Sequence, residues 1–254
     1  MAKQPQEFPI ASTVKSHMQN VNDLYGNKLV GLDGSIGHLR DFYFDDNIWV
    51  VRYAVADTAS WLPGRLVLLS PHAFGRLDQD QHSLHINLRR AQIEDSPPIE
   101  SHKPVSRQYE VEYYRYYGWP AYWAGDAMWG MGGFPVPVPP LKDEIETQRL
   151  YYHRDDEHLR SAREVTGYPI EAIDGKLGHV AGFMVDDRSW AIREMVVEAG
   201  HWYSGKEIRI PISKVERISY KENKVVVNLS KADIQQTAEN GVAKSDGFSV
   251  QPHS

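Results

Sequence analysis

The sequence predicts a mainly β protein of two small β-barrels with short flanking helices, joined by an aromatic linker rich in Gly and Pro. Three observations predict it. One stretch of small-domain size occurs twice at a constant shift. Each occurrence breaks into short runs of β-branched and aromatic residues between turn residues. The stretch between the occurrences has another composition, dense in Tyr, Trp, Gly and Pro.

The repeat runs over Leu32 to Ser70 and again over Ile173 to Pro211. Asp33 falls on Asp174, a shift of 141 residues (174 less 33). Without a gap the same shift sets Gly34 on Gly175, Gly37 on Gly178, His38 on His179 and Phe42 on Phe183. It continues through Asp45-Asp46 on Asp186-Asp187, Trp49 on Trp190, Arg52 on Arg193, Trp61 on Trp202, Gly64 on Gly205 and Ile93 on Ile234. So long a period marks a tandem duplication of a domain and not a solenoid array.

Taken in order, Met1 to Ala11 is polar and broken by Pro, and reads as a loose tail. Ser12-Thr13 caps a short helix in which Val14, Met18 and Val21 recur at helical spacing before Gly26. Its counterpart is Asp156 to Val165, with Leu159, Ala162 and Val165 on one face, before Gly167. Ile36 to Phe44 and Ile48 to Ala56 read as strands around an Asp45-Asp46-Asn47 turn, because Asx side chains bond the local backbone. Asp186-Asp187-Arg188 is the equivalent turn. Pro63-Gly64 and Ser204-Gly205 mark the next turns, and Leu66 to Leu69 and Ile208 to Ile212 follow as strands. Leu84 to Leu88 and Val225 to Leu229 close each set. Short strands at close spacing predict a small barrel, whose closure removes unpaired edges. Arg89 to Asp95 and Ser230 to Glu239 read as helical, and Pro97-Pro98 stops the first. Between the copies, Pro104 to Tyr117 has Val105, Tyr109, Tyr113 and Tyr116 at helical spacing. Gly118 to Pro140 is too interrupted by Gly and Pro for a long element. The division is residues 12–100 for the first barrel, 101–153 for the helix and linker, 154–240 for the second barrel, and 241–254 for a disordered tail.

Composition narrows the function. A net charge of −6 gives no general electrostatic ground for nucleic-acid binding. The absence of cysteine excludes disulfides, thiolate catalysis and Cys-based zinc sites. The N-terminus lacks a signal-peptide pattern, and no run of 18 apolar residues is present. The cytoplasm is the expected location.

The polar residues of the repeat read as structural. Asp33-Gly34 and Asp174-Gly175 are tight turns, since one carboxylate without a partner makes no catalytic site. Two adjacent carboxylates in a hairpin turn fall short of a calcium loop. His38 and His179 read as packed or hydrogen-bonding, because an active site seldom needs two equivalents in one chain. His153 to His158 is the densest set of metal-type side chains, with His153 and Glu157 four apart. It lacks the three or four ligands a zinc site needs and reads as a solvated helix start. Arg52 and Arg193 read as strand residues packed beside Trp49 and Trp190. No nucleophile elbow, phosphate loop or dinucleotide fingerprint is present. No catalytic, cofactor-binding or metal residue is assigned.

The order Asp-Gly, Gly-His, apolar strand ending in Asp-Asp, Trp three before Arg, then Trp-x-x-Gly resembles the PRC-barrel domain. That domain is found in the cytoplasmic part of the photosynthetic reaction centre H subunit, and a similar barrel forms the C-terminal half of a ribosome maturation factor. The fold-motif residues are Asp33, Gly34, Gly37, Trp49, Arg52, Trp61 and Gly64, with Asp174, Gly175, Gly178, Trp190, Arg193, Trp202 and Gly205. The resemblance implies a non-catalytic protein-binding or scaffold module. The alternatives are an H-subunit-like accessory protein at a membrane complex, or a small-ligand site in the linker.

What one copy has and the other lacks is the expected place for function. Tyr113, Tyr117, Trp119, Tyr122, Trp123 and Trp129 are the candidate interface. Each aromatic buries about 150–250 Å², so the group cannot all face water. It packs inside the chain or on another protein, and a homodimer through this segment is the expected assembly.

Overall fold

A computed structural model describes residues 17–58, 61–62, 65–96, 107–119, 158–201, 206–234 and 249–250 of the 254-residue chain. The fold is mostly β with short helices, in two similar sheet units. In the first unit come β1 (Met18–Asn20), α1 (Val21–Leu24), β2 (Lys28–Gly31), β3 (Gly34–Asp45), β4 (Val50–Asp57) and β5 (Leu66–Leu69). A 3-10 turn at Pro71–Ala73, β6 (Phe74–Asp78), β7 (Ser83–Ile86) and α2 (Arg90–Glu94) follow. α3 (Arg107–Tyr117) comes next in the chain. The second unit repeats the order as β8 (Leu159–Ser161), α4 (Ala162–Val165), β9 (Pro169–Ala172), β10 (Gly175–Asp186), β11 (Ile192–Ala199) and β12 (Glu207–Pro211). Then come a 3-10 turn at Ile212–Lys214, β13 (Val215–Ser219), β14 (Lys224–Val227) and a helical turn over residues 231–234, with β15 (Ser249–Val250) at the tail.

The expected barrels are corrected. Each sheet is an open path, β5-β4-β3-β2-β7-β6 in the first unit and β13-β14-β9-β10-β11-β12-β15 in the second. Closure would require β5 to pair with β6, yet these consecutive strands lie at opposite ends of their sheet. The cause is the corner between them. Ser70 caps it by accepting the His72 N–H, and Pro71 at its first position has no N–H to give to a ladder. Pro211 opens the corresponding corner between β12 and β13. With no closed sheet, the likeness to a closed reaction-centre H-subunit barrel falls as well. Strand number and spacing are the same for open and closed sheets, so the sequence could not separate them.

Each sheet contains a strand from the other half. β1 pairs with β10 (Met18↔Asp186, Gln19↔Val185, Asn20↔Met184), and β8 pairs with β3 at the equivalent positions (Asp45↔Leu159, Phe44↔Arg160, Tyr43↔Ser161). The exchange is reciprocal residue for residue. Residues 18–20 and 159–161 are therefore strands and not the first turns of helices; only α1 and α4 are helical there. Met18 and Leu159 sit at helical spacing from Val21 and Ala162, but their main chains find partners on distant strands. The part of the expected helix over Ser12 to Ser16 lies outside the described residues.

The exchange merges the interiors. One apolar core includes Phe42 and Phe44 of β3, Phe183 and Val185 of β10, and Trp190. Phe44 and Phe183 lie with ring centroids 5.1 Å apart. A second, smaller cluster lies on the outer face of β4 and β5, where Tyr53, Val55 and Leu68 are covered by Tyr113 and Tyr114 of α3.

Candidate functional site

Asp33 and Asp174 are turn residues that start helices. Asp33 Oδ1 accepts the Arg90 N–H at 3.0 Å, and Asp174 Oδ2 accepts the Lys231 N–H at 2.9 Å. Gly34 and Gly175 follow at φ 140° and 111°. Gly37 and Gly178 let two strands approach closely: a Cβ on them would meet the carbonyl oxygens of Asp57 and Glu198 at 1.9 and 2.0 Å. His38 and His179 are exposed, because position 38 faces away from the core that takes Ile36 and Leu39.

The two Asp-Asp turns divide their labour. Asp45 Oδ1 accepts the N–H groups of Asn47 and Ile48 at 2.9 and 3.2 Å, and Asp186 Oδ1 those of Arg188 and Ser189 at 2.9 and 3.1 Å. These bonds to the ionised form hold the Asp186 carboxyl below the usual range. Asp46 and Asp187 instead hold the exchanged strands. Asp46 meets His158 Nδ1 at 3.0 Å and Arg160 Nε at 2.6 Å. Asp187 meets His17 Nδ1 at 3.0 Å and Gln19 Nε2 at 3.2 Å. Sequence reasoning missed His17, although the 141-residue shift sets it on His158.

Trp49 and Trp190 end these turns, not the following strands, at φ 55° and 56°. Their carbonyls bind across the joint: Val51 donates its N–H to Trp190 at 2.9 Å, and Ile192 donates to Trp49 at 2.8 Å. Trp190 is 5% exposed and packs on Phe42 and Phe74 of the other half, at 5.7 and 4.7 Å. Trp49 is half-buried and stacks on Phe44. Arg52 is buried with its guanidinium 3.5 Å from Asp45, whereas Arg193 is exposed. Trp61 donates its indole N–H to Ile36 O at 2.6 Å, beneath the Arg90 guanidinium. Gly64, Trp202, Gly205, His153 and Glu157 lie outside the described residues.

One joint contact lacks a counterpart. Asp41 of β3 is buried and accepts from Ser161 Oγ at 2.6 Å, Arg163 N at 3.1 Å and Phe42 N at 2.7 Å. Burial pushes its carboxyl above the usual range against these bonds. The equivalent residue is Gly182, and the space a side chain would take is filled by Asn20 and Asn22. Asn22 donates its amide to Ala181 O at 2.7 Å.

The aromatic segment departs most from the repeat. Tyr113 is fully buried; its hydroxyl donates to Leu68 O at 2.9 Å and accepts the Ser70 N–H at 3.0 Å. Tyr53 donates to the buried Glu110 at 2.8 Å. At the end of α3, Tyr117 and Trp119 stack 4.5 Å apart at 12°, both half-buried. Burial pushes the Tyr117 hydroxyl up to about 12. Tyr116 beside them is 42% exposed and donates to Gln92 O. Of the candidate interface, Tyr113, Tyr117 and Trp119 thus line one face of the first unit. Tyr122, Trp123 and Trp129 lie outside the described residues.

The chain has no cysteine, and among the described residues no group of three or more His, Asp or Glu is placed to hold a metal. Among them, too, no helix is long and apolar enough to cross a membrane. Residues 157–234 match the family model of the PRC-barrel domain. That span covers the second sheet unit, whose order of elements the first unit repeats. No curated protein matches the chain.

Proposed function

We propose that the chain carries two tandem copies of this domain and acts as a non-catalytic protein-binding or scaffold module. Its binding surface is the aromatic end of α3. The observation that carries the reading is the contrast between shared and unshared residues. Among the described residues, the motif residues common to both units mostly cap helices, turn hairpins, let strands approach closely or hold the joint between units. Among the described residues α3 has no counterpart, and it ends in an exposed Tyr116 beside the Tyr117–Trp119 stack. Tyr and Trp are favoured interface anchors. Tyr122, Trp123 and Trp129 extend the same aromatic composition beyond α3.

The test is site-specific photo-crosslinking in cells of the source organism. A photoreactive residue at position 116 should give a discrete adduct that the same residue at Lys221, on the second unit, does not. Trp119→Ala should abolish that adduct without altering the melting temperature by more than a few degrees. Equal adduct patterns from both positions would refute this surface. An adduct with a second copy of the chain would make the partner a homodimer mate.

A further inference from the structure

The two units seal equivalent sheet edges by different means, and the difference assigns a second, separate binding site. β5 and β12 are equivalent strands, each paired on one side to the preceding hairpin strand. On the other side of β5, the Tyr113 hydroxyl accepts from Ser70 and donates to Leu68. Tyr113 is fully buried and sits edge-on to Tyr53, which is itself bonded to Glu110. This side-chain seal is fixed in the core. At β12 the residue equivalent to Leu68 is Arg209, and the position of Ser70 is Pro211, which has no N–H. The outer side of β12 is instead paired by β15, Ile208↔Val250 and Arg209↔Ser249. Two residues, Ser249 and Val250, close it.

We propose that the outer edge of β12 is a docking site for an extended peptide strand, and that the chain's own tail occupies it as a built-in competitor. An exposed strand edge is a template for main-chain pairing, and recognition of this kind rests on backbone bonds more than on side-chain identity. A closure of two residue pairs is weak, because each main-chain hydrogen bond replaces one to water and nets little. The tail holds the site through its tether, which gives an intramolecular strand a high effective concentration. A partner strand therefore enters by displacing the tail and keeping the same antiparallel register against Ile208 and Arg209. Pro211 limits the site at its far end, so the ligand is a short extended segment without proline at the two pairing positions.

The experiment uses the full chain, a chain ending at Asn240, and a fluorescent peptide covering residues 245–254. The truncated chain should bind the peptide at least tenfold more tightly than the full chain does. A peptide carrying Ser249→Pro and Val250→Pro should not bind either. Hydrogen exchange of the Arg209 segment should quicken on truncation and slow again with peptide. Equal peptide affinity for both chains, or exchange unchanged by truncation, would overturn the proposal. A full-length dimer that dissociates on truncation would overturn the occupation of the edge by the chain's own tail. The α3 reading fails separately, since it depends on adducts at position 116 and not on peptide binding.

Discussion

Asp41 accepts the hydroxyl proton of Ser161 at 2.6 Å, joining β3 of the first unit to the exchanged strand of the second. The same hydroxyl oxygen accepts the Glu164 N–H at 3.0 Å and so caps α4. Asp41→Ala removes the acceptor for two donors of the second unit, the Ser161 hydroxyl and the Arg163 N–H. An unmet buried donor costs about 1–3 kcal/mol, and the variant should lose stability on that scale in urea denaturation.

The same carboxyl sets a pH dependence. Burial raises the folded-state pKa of Asp41 above its unfolded value. The folded chain then binds this proton more tightly than the unfolded one. The stabilising contribution is full below the unfolded pKa and is lost as pH rises through the folded pKa. Asp41→Asn does not titrate. Wild-type stability relative to this variant should therefore fall between pH 4 and pH 7, and paired denaturation curves at the two pH values check the sign. A relative stability that rises with pH would contradict the assignment.

Gly182→Ala should weaken the exchange of β1. Its Cβ would come within 2.9 Å of Asn22 Nδ2 and 3.2 Å of Asn20 Oδ1. Asn22 is exposed and can give way at the expense of its bond to Ala181 O, so the cost should be about 1 kcal/mol. Asn22→Ala opens the space, so the double variant should be less destabilised than the sum of the singles. An additive cycle would mean that the clash is relieved elsewhere.

Trp190→Ala should destabilise by about 3–5 kcal/mol, the range for removing a large aromatic from a core. Trp49→Ala should cost clearly less, because Trp49 is half-buried while Trp190 is 5% exposed. Melting of the two variants side by side checks the order.

Tyr113→Phe keeps the ring and deletes the hydroxyl that satisfies Ser70 and Leu68. The variant should lose about 1–3 kcal/mol and expose the Ser70 amide to faster hydrogen exchange.

The hairpins and their turns were legible because Asp45 and Asp186 signal local backbone bonding, and because the same spacing appears twice. α3 was legible from the spacing of Tyr109, Tyr113 and Tyr116, and it runs from Arg107 to Tyr117. The exchange of β1 and β8 was not. Three residues pairing with a strand more than a hundred positions away leave no periodicity of their own, and the spacing of Met18 and Val21 pointed to a helix. The joint roles of Trp49 and Trp190 were hidden because their positive φ puts them in the turn, where sequence reads a continuing strand. The open sheets were hidden because Pro71 and Pro211 act through the direction of the chain at a corner, which strand lengths do not record.

The reciprocal loan of β1 and β8 also governs how the chain comes into being. The first sheet cannot be finished when its own residues leave the ribosome, because β8 begins only at Leu159. Until then the β3 edge that receives it stands open, as a surface for a chaperone or for misassembly between nascent chains. Once both loans are made, neither half has a complete sheet or core without the other. Heat should therefore unfold the described halves in one cooperative step, with a calorimetric enthalpy matching the van't Hoff value.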